Sequence, residues 1–250
     1  SKRFISKKNK IYFITNFSYI TENFTKENKI KLIKKEKKNQ DYEYLKILSS
    51  IHNLDLLIID KYNFNLMLQK KIKKFSKKIL IISDHKNKKY YCDFFLNTSP
   101  GIKKNENELE KNTVSMLGMD YFPLNSKLKK KTKESIQCKN ILIFLSYTDH
   151  KNFTFKILKL INFEKFNKIN FHVVIDTSRY NLNIFKNFKN IRFYNTSKNF
   201  YKLMQKMDAC IGSGGINIWE RFYLGIPSIV FQLSKNQREN IKFLKRKKCI

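Results

Sequence analysis

With 250 residues, of which 42% are hydrophobic, the chain can bury one large α/β core or two cores of about 120 residues each, and its composition excludes an intrinsically disordered polycation. Its formal net charge of +32 comes mainly from lysines spread along the whole chain. The lysine runs lack the interleaved aromatic residues of a base-stacking surface, so we interpret them as solvated and expect no nucleic-acid partner.

The cysteines indicate a reduced chain rather than a disulfide framework or a metal site. They are far apart, and the sequence has neither a C-x-x-C pair nor a Cys/His cluster with the spacing of zinc ligands. No apolar run is long enough to span a membrane. We therefore expect a cytoplasmic protein with no bound metal and no membrane span. The cysteines are Cys92, Cys138, Cys210 and Cys249.

The first half of the chain predicts short, continuously apolar strands with helical stretches between them. Two helical stretches are clear, DYEYLKILSSIHN at 41–53 and FNLMLQKKIKKF at 64–75. The predicted strands of this half are 10–15, 30–33, 54–60, 78–83, 93–97 and 114–118.

The second half repeats the same alternation, which is typical of parallel sheets covered by helices on both faces. Residues 120–137 between the halves are polar and aperiodic, so they predict a linker. We predict two doubly wound, Rossmann-like α/β domains, 1–137 including the linker and 138–250, facing a central cleft that holds the ligand. The strands predicted in this half are 140–146, 170–176, 191–195, 207–213 and 227–232.

A glycine turn followed at once by a helix is the strongest functional signal. The helix is predicted over 216–224 and stops at Gly225. Glycines let the backbone approach a phosphate, and the first amides of the helix can donate to it. Glu220 is placed to accept from the hydroxyls of an attached ribose. The alternative is that these glycines form only a tight corner. Ile211 and Gly212 are predicted to end the strand and Ser213, Gly214 and Gly215 to form the turn, and all five are candidate residues for binding the ligand.

The side chains beside Glu220 are expected to be structural. We predict that Trp219 and Phe222 lie in the core and that Arg221 caps or pairs at the surface. A second polar cluster, Ser234 to Gln237, follows the next strand, where Asn236 and Gln237 are placed to reach a sugar or a phosphate. The alternative there is an ordinary N-cap by Ser234.

The segment 211–231, followed by Asn236-Gln237, resembles the G-x-G-G-x-x-x-W-E-R-x-x-L-G-x-P…N-Q signature of a known enzyme family. These are the UDP-sugar hydrolases of pseudaminic acid biosynthesis, the PseG- and SpsG-like proteins, which have a GT-B fold and are related to MurG-type glycosyltransferases. Upstream segments are similar to the family in the same order, so the resemblance covers nearly the whole chain. They are 58–65, 83–97, 116–128 and 141–154.

The resemblance implies that UDP lies against the C-terminal domain, with its diphosphate on Ser213, Gly214 and Gly215 and its ribose on Glu220. It implies that Asn236 and Gln237 lie near the diphosphate and the sugar, and that Tyr62 faces the cleft. Water would attack the anomeric carbon with inversion and release UDP, without a cofactor. Tyr62 and Asn236 are the weak candidates for a catalytic role.

The family base is a histidine in a G-x-G-H-x-x-R loop that has no counterpart in this sequence, so the catalytic base is unknown. From this difference we expect a chain cut at both ends that binds UDP weakly and hydrolyses little. Three histidines, His52, His85 and His172, are expected to be structural or solvated. The residues predicted near the cleft are Ser146, Tyr147 and His150.

The predicted function is hydrolysis of a UDP-sugar of the UDP-2,4-diacetamido-2,4,6-trideoxy-β-L-altropyranose type at its anomeric C–O bond, by a monomer. Three alternatives stay open. The nearest is a UDP-sugar-dependent glycosyltransferase with the same nucleotide site. Another, from a different class, is a non-enzymatic basic module that binds nucleic acid, whose affinity would fall steeply with salt. The third is a degenerate, non-catalytic protein that folds without an activity.

Overall fold

The computed structural model describes residues 9–15, 22, 25–26, 30–34, 40–61, 64–126, 128–129, 137–146, 149, 151–195 and 199–249. The chain divides into two compact units. The N-terminal unit contains Ser1–Asn97 and Lys103–Leu117, and the C-terminal unit contains Thr98–Ile102 and Gly118–Ile250.

The strands of the N-terminal unit pair in parallel throughout the part that the structure describes. The largest sheet has the order β3-β4-β6-β8, and two smaller sheets pair β1 with β2 and β5 with β7. The bounds are β1 Tyr12–Thr15, β2 Lys31–Lys34, β3 Leu54–Asp60, β4 Ser76–Ile82, β5 Lys89–Tyr90, β6 Phe94–Asn97, β7 Glu108–Leu109 and β8 Val114–Leu117.

Helices cover this sheet through their apolar faces. The helix Leu66–Ile72 begins at Asn65, whose side chain accepts a hydrogen bond from the amide of Leu68 at 2.8 Å. Its buried residues pack with Ile79 and Phe95 of the sheet in one core cluster. The other helical elements of the unit are the helix Gln40–Ser49 and the 3-10 turns Lys73–Phe75 and Lys104–Glu106.

The C-terminal unit is built on one five-stranded parallel sheet with the order β11-β10-β9-β12-β13. The first strand of this unit, β9, is therefore central, and the following strands are added first on one side of it and then on the other. The bounds are β9 Asn140–Phe144, β10 Asn170–Val174, β11 Ile191–Tyr194, β12 Ala209–Ser213 and β13 Ser228–Phe231.

Both faces of this second sheet are buried, which explains its continuously apolar strands. Along β9, Leu142 and Phe144 pack in one cluster with Cys210 of β12, whereas Ile143 packs in another cluster with Phe171 of β10. Alternate residues of a strand point to opposite faces, so the sheet lies between two core layers. The helices are Phe153–Leu160, Phe200–Met204, Asn217–Tyr223 and Arg238–Arg246, and the 3-10 turns are Met119–Tyr121, Thr177–Arg179, Asn183–Phe185 and Lys235–Gln237.

Every strand predicted from the sequence is present, with its ends within two residues of the prediction, and both clear helices of the first half are present. The two-residue strands β5 and β7 were not predicted. The chain divides after Leu117, whereas the sequence suggests a boundary near residue 137. The reason lies in the predicted linker region, where Met119 and Phe122 pack against the core cluster of Ile218, Trp219 and Leu244 in the C-terminal unit. Within the described ranges, no helix is both long and apolar enough to cross a membrane.

Candidate functional site

The predicted site lies where the strand order of the C-terminal sheet reverses. The neighbours β9 and β12 are paired with Gly212 opposite Phe144, and the chain passes through β10 and β11 between them. In open parallel α/β sheets, ligands bind outside the carboxyl ends of the strands at such a switch point. Ser146 follows the end of β9 and Gly214 follows the end of β12, so the fold brings these two predicted regions to one edge of the sheet.

Two of the turn glycines are explained by contacts within the protein. A Cβ on Gly212 would lie 2.5 Å from Nη1 of Arg221 and 3.0 Å from the carbonyl oxygen of Phe144. A Cβ on Gly214 would lie 2.7 Å from Cδ1 of Ile241. At these positions the tight-corner interpretation is sufficient, because neighbouring side chains occupy the space.

Gly215 is different, because a side chain there would meet only ordinary van der Waals contacts. A Cβ on this residue would lie 3.5 Å from Nε2 of Gln237 and 3.6 Å from Oγ of Ser213. Among the residues that the structure describes, the backbone amides of Gly215, Ile216 and Asn217 have no hydrogen-bond acceptor. Three successive unpaired N–H groups form an arrangement that suits an anion.

The second polar cluster lies directly beside this turn, as its position after the neighbouring strand predicts. Gln237 accepts from the amide of Leu233 at 2.9 Å through Oε1, and its Nε2 faces Gly215. Asn236 is exposed and its Oδ1 accepts from the hydroxyl of Ser234. Ser234 makes no side-chain cap hydrogen bond to the turn that it precedes, so it does not act as the ordinary N-cap.

Glu220 is buried, with 4% of its surface exposed, and is held by two donors of the protein. Its Oε2 accepts from the side-chain amide of Asn217, and the hydroxyl of Tyr201 also donates to the carboxylate. Burial raises the pKa of Glu220 above its ordinary value, although these hydrogen bonds and the charge of Arg221 oppose the shift.

Two expectations for the neighbours of Glu220 are wrong. Arg221, expected at the surface, is 1% exposed, because its guanidinium fills the space left by Gly212. Phe222, expected in the core, is 55% exposed, since it lies on the outer face of the short helix Asn217–Tyr223. The expectation for Trp219 is confirmed: it is 5% exposed and packs in a core cluster.

The strand residues Ile211 and Gly212 lie inside β12, between β9 and β13. The Ile211 side chain packs against a core cluster, so its predicted contact with UDP stays a prediction that this packing does not support. Ser213 is buried at the end of the strand and its carbonyl accepts from Arg221 at 2.7 Å.

On the β9 side, the helix Phe153–Leu160 already has an anion at its beginning. The carboxylate of Asp149 accepts from the amides of Phe153 at 3.0 Å and Thr154 at 2.8 Å. A diphosphate would have to displace this buried carboxylate to use the same amides, which leaves the glycine turn as the better anion site. Ser146, which follows the end of β9, is partly buried. Tyr62, Tyr147 and His150 lie outside the described residues.

The expectations for the other histidines agree with the structure. His172 is buried in β10, where Nδ1 lies 2.9 Å from the hydroxyl of Tyr194 and Nε2 lies 3.2 Å from Oδ1 of Asn140. Burial lowers the pKa of His172, so at neutral pH it is an uncharged core residue. His52 is exposed after the helix Gln40–Ser49, and His85 is in the loop after β4. All four cysteines are free thiols.

No protein-family model matches the chain. Over 92% of its length it is 28% identical to an uncharacterised protein of Methanocaldococcus jannaschii, and it spans half of the length of that protein. It is 26% identical, over 93% of its length, to the spore coat polysaccharide biosynthesis protein SpsG of Bacillus subtilis, of which it spans 70%. The chain is a homologue of SpsG.

Two solved structures show the fold of this SpsG homologue. The glycosyltransferase of kitacinnamycin matches 99% of the chain with a TM-score of 0.60 at 10% identity, and 79% of that protein is covered. MurG of Acinetobacter baumannii matches 95% of the chain with a TM-score of 0.55 at 10% identity, and 75% of it is covered. The predicted fold class, two Rossmann-like domains of the GT-B type, is confirmed.

Sequence analysis missed several residues that shape the site of the SpsG homologue. Asn240 donates to the carbonyl oxygen of Gly214 at 3.0 Å, and Ile241 packs against the same glycine. Asn240 lies three residues after Gln237, at the start of the helix Arg238–Arg246, and residues three apart in a helix share a face. This spacing could have indicated from the sequence that Asn240 is also near the glycine turn. Tyr201 comes from a different helix, and nothing in the local sequence indicates its contact with Glu220.

Proposed function

We propose that the glycine turn of this chain binds the diphosphate of a UDP-sugar, and that the protein hydrolyses this substrate at its anomeric C–O bond. The observation that carries the proposal is the set of unpaired amides at Gly215, Ile216 and Asn217, next to the Gln237 side chain, at the switch point of a parallel sheet. The resemblance of 211–231 to the signature of UDP-sugar hydrolases supports UDP as the ligand, and the similarity to SpsG, a polysaccharide biosynthesis protein, supports a nucleotide-sugar substrate.

The chemistry of hydrolysis fits this turn. Water forms a bond to the anomeric carbon while the bond between that carbon and the β-phosphate oxygen breaks, so the electron pair leaves on the diphosphate and the proton of the water passes to the solvent. N–H groups fixed at the turn would stabilise this developing charge. The Asn236 side chain, exposed at the edge of the turn, is proposed to orient the water or the sugar, since an amide donates and accepts but is not a base. The role of Tyr62 stays a prediction from the family resemblance.

Glu220 is proposed to accept from the ribose hydroxyls. A carboxylate has about four acceptor positions, of which Asn217 and Tyr201 occupy two. The remaining positions become useful only if the ribose reaches this buried group. The role of Glu220 therefore depends on close approach of the nucleoside along the helix Asn217–Tyr223.

A ligand without the ribose 2′-hydroxyl tests this contact. We expect the wild-type chain to bind 2′-deoxy-UDP about tenfold more weakly than UDP, because the Glu220 carboxylate loses one donor. The variant Glu220→Ala should bind both ligands equally, with the affinity of 2′-deoxy-UDP or less. Calorimetric titration of both proteins with both ligands gives the coupling energy directly.

The matched control for this comparison of two proteins and two ligands is Tyr201→Phe, which removes the Tyr201 hydroxyl that donates to Glu220 and keeps the Glu220 carboxylate. It should still discriminate between the two ligands. If Glu220→Ala discriminates as well as the wild type, Glu220 does not contact the 2′-hydroxyl and is part of the structural support of the helix.

The bond that breaks distinguishes hydrolysis at carbon from the alternatives. With a UDP-diacetamido-trideoxyhexose in H2¹⁸O, we expect slow release of UDP with no ¹⁸O in its β-phosphate and no need for an acceptor, because water attacks carbon. Mass spectrometry of the released nucleotide checks this. Turnover only with an added sugar or lipid acceptor would indicate the glycosyltransferase instead, and release of UMP would indicate attack at phosphorus. No release of UDP would contradict hydrolysis by this chain.

A further inference from the structure

The helix after the glycine turn carries a buried arginine that the proposed chemistry does not use. Arg221 is 1% exposed. Its Nη2 donates to the carbonyl oxygen of Ser213 at 2.7 Å, and the guanidinium also contacts the thiol of Cys210. Its Nε is buried and, within the described part of the chain, has no hydrogen-bond partner.

The charge of Arg221 is not neutralised by an ion pair among the described residues. Burial raises the pKa of the Cys210 thiol to about 11, so the group beside the guanidinium carries no charge at neutral pH. The carboxylate of Glu220, the preceding residue of the helix, accepts from Asn217 and Tyr201. Burial lowers the pKa of Arg221, and the charge of Glu220 opposes this shift from a distance, without an ion pair between the two described side chains. A cation without such a pair destabilises the folded state, because it has lost its hydration.

The position of the guanidinium connects it to the turn. It lies where a Cβ of Gly212 would be, with Cζ at 2.8 Å from that point, and it holds the carbonyl of Ser213, two residues before the open position at Gly215. The end of β12 therefore packs directly against the Arg221 side chain. The positive charge lies behind the same turn whose amides at 215–217 are unpaired among the described residues.

We propose that Arg221 is a positioning residue whose buried positive charge makes the glycine turn select a diphosphate over an uncharged nucleoside. The inference rests on the proposed function, since it assumes that the diphosphate lies on this turn. The anion would supply the charge that Arg221 lacks, and the low-polarity surroundings would make their attraction stronger than at the surface. The guanidinium acts through the turn and does not contact the substrate.

Two substitutions separate the charge from the hydrogen bond. Arg221→Gln keeps a donor for the Ser213 carbonyl and removes the charge, whereas Arg221→Lys keeps the charge and removes the planar fork. Arg192→Gln is the matched control, because it removes one exposed positive charge on β11 at the far edge of the same sheet. Affinities for UDP and for uridine are measured by calorimetric titration of the whole chain at fixed ionic strength.

We expect Arg221→Gln to lower the ratio of UDP affinity to uridine affinity about tenfold, while Arg221→Lys and Arg192→Gln keep the wild-type ratio within about threefold. The thermal midpoint of unliganded Arg221→Gln should equal or exceed that of the wild type, because a buried charge is removed.

A different pattern would overturn the inference. If Arg221→Gln keeps the wild-type ratio, or if Arg221→Lys loses it, Arg221 only supports the Ser213 carbonyl. If Arg221→Gln does not fold, a wild-type ratio in the folded Gly212→Ala variant, whose Cβ would displace the guanidinium, likewise overturns the inference. A wild-type chain that binds no UDP contradicts the proposed function itself, and the two failures are thus distinguishable.

Discussion

Alanine in place of Gly215 should weaken UDP binding by about thirtyfold or more and leave the thermal midpoint within about 3 °C of the wild type. The added methyl group meets nothing closer than 3.5 Å within the protein, and Gly215 does not have a left-handed backbone that alanine would strain. Replacing glycine by alanine also lowers the conformational entropy of the unfolded chain, which offsets a small loss of stability in the folded state. The methyl would project into the space where the diphosphate is proposed to lie. Calorimetric titration with UDP and a thermal melt measure the two effects separately.

The control for this substitution is Gly214→Ala in the adjacent position. There the methyl would lie 2.7 Å from Cδ1 and Cγ1 of Ile241, so we expect a loss of stability of about 1–2 kcal/mol from overpacking. The two neighbouring glycines should therefore give opposite patterns, one affecting binding and the other affecting stability. If folded Gly215→Ala binds UDP as tightly as the wild type, the diphosphate does not occupy the open side of the turn.

The contrast between these glycines shows what the sequence can and cannot predict about the site. The repeated pattern of apolar strand, glycine turn and helix predicts the location of the turn, because strand order and helix position follow from short-range periodicity. It cannot distinguish a glycine that makes room for a neighbouring side chain from one that makes room for a ligand. That distinction depends on Arg221 and Ile241, which lie nine and 27 residues further along the chain from Gly212 and Gly214.

The errors at Arg221 and Phe222 have the same physical origin. Residue type predicts that an arginine is exposed and a phenylalanine is buried, but in this helix Arg221 is buried and Phe222 is exposed. The helix Asn217–Tyr223 packs its Ile218 and Trp219 face inwards, and Arg221 fits beneath it only because Gly212 has no side chain. Phe222 then lies on the outer face.

The continuously apolar strands were easier to predict than the boundary between the units. A strand such as NILIF is buried on both faces and has no polar residue in its interior, so its burial can be read from the sequence. The segment around Met119 and Phe122 has apolar residues without any period. Its packing against the cluster of Ile218, Trp219 and Leu244, about 100 residues or more later, is tertiary and cannot be found in local sequence patterns.

A carboxylate in the N-terminal unit should make a large contribution to stability. The Oδ2 atom of Asp93 accepts from the amide of Ile79 at 2.9 Å and from Nζ of Lys73, and its Oδ1 accepts from Nζ of Lys78 at 3.1 Å. Burial alone would raise the pKa of Asp93, but these three donors outweigh it and lower the pKa to about 2. The residue therefore joins the start of β6 to β4 and to the end of the preceding helix.

We expect Asp93→Ala to lower the free energy of unfolding of the N-terminal unit by about 2–3 kcal/mol at neutral pH, because an amide and two lysines lose their acceptor. Since the folded pKa is lowered, this contribution is present above about pH 4 and is lost as pH falls towards 2. The difference between wild type and variant should thus shrink by roughly half at pH 3. Urea unfolding followed by circular dichroism at several pH values measures it.

The exposed ion pair between Asp55 and Lys77 provides a control that distinguishes the loss of the Asp93 hydrogen bonds from a general effect of net charge. Its oxygen and nitrogen are 2.7 Å apart, but both side chains are more than 70% exposed, so Asp55→Ala should leave the free energy of unfolding nearly unchanged at any pH. Both substitutions remove one carboxylate from a chain of net charge +32, so any general increase in repulsion affects them alike. An equal loss in the two variants would mean that net charge, rather than the three hydrogen bonds of Asp93, determines the stability of this unit.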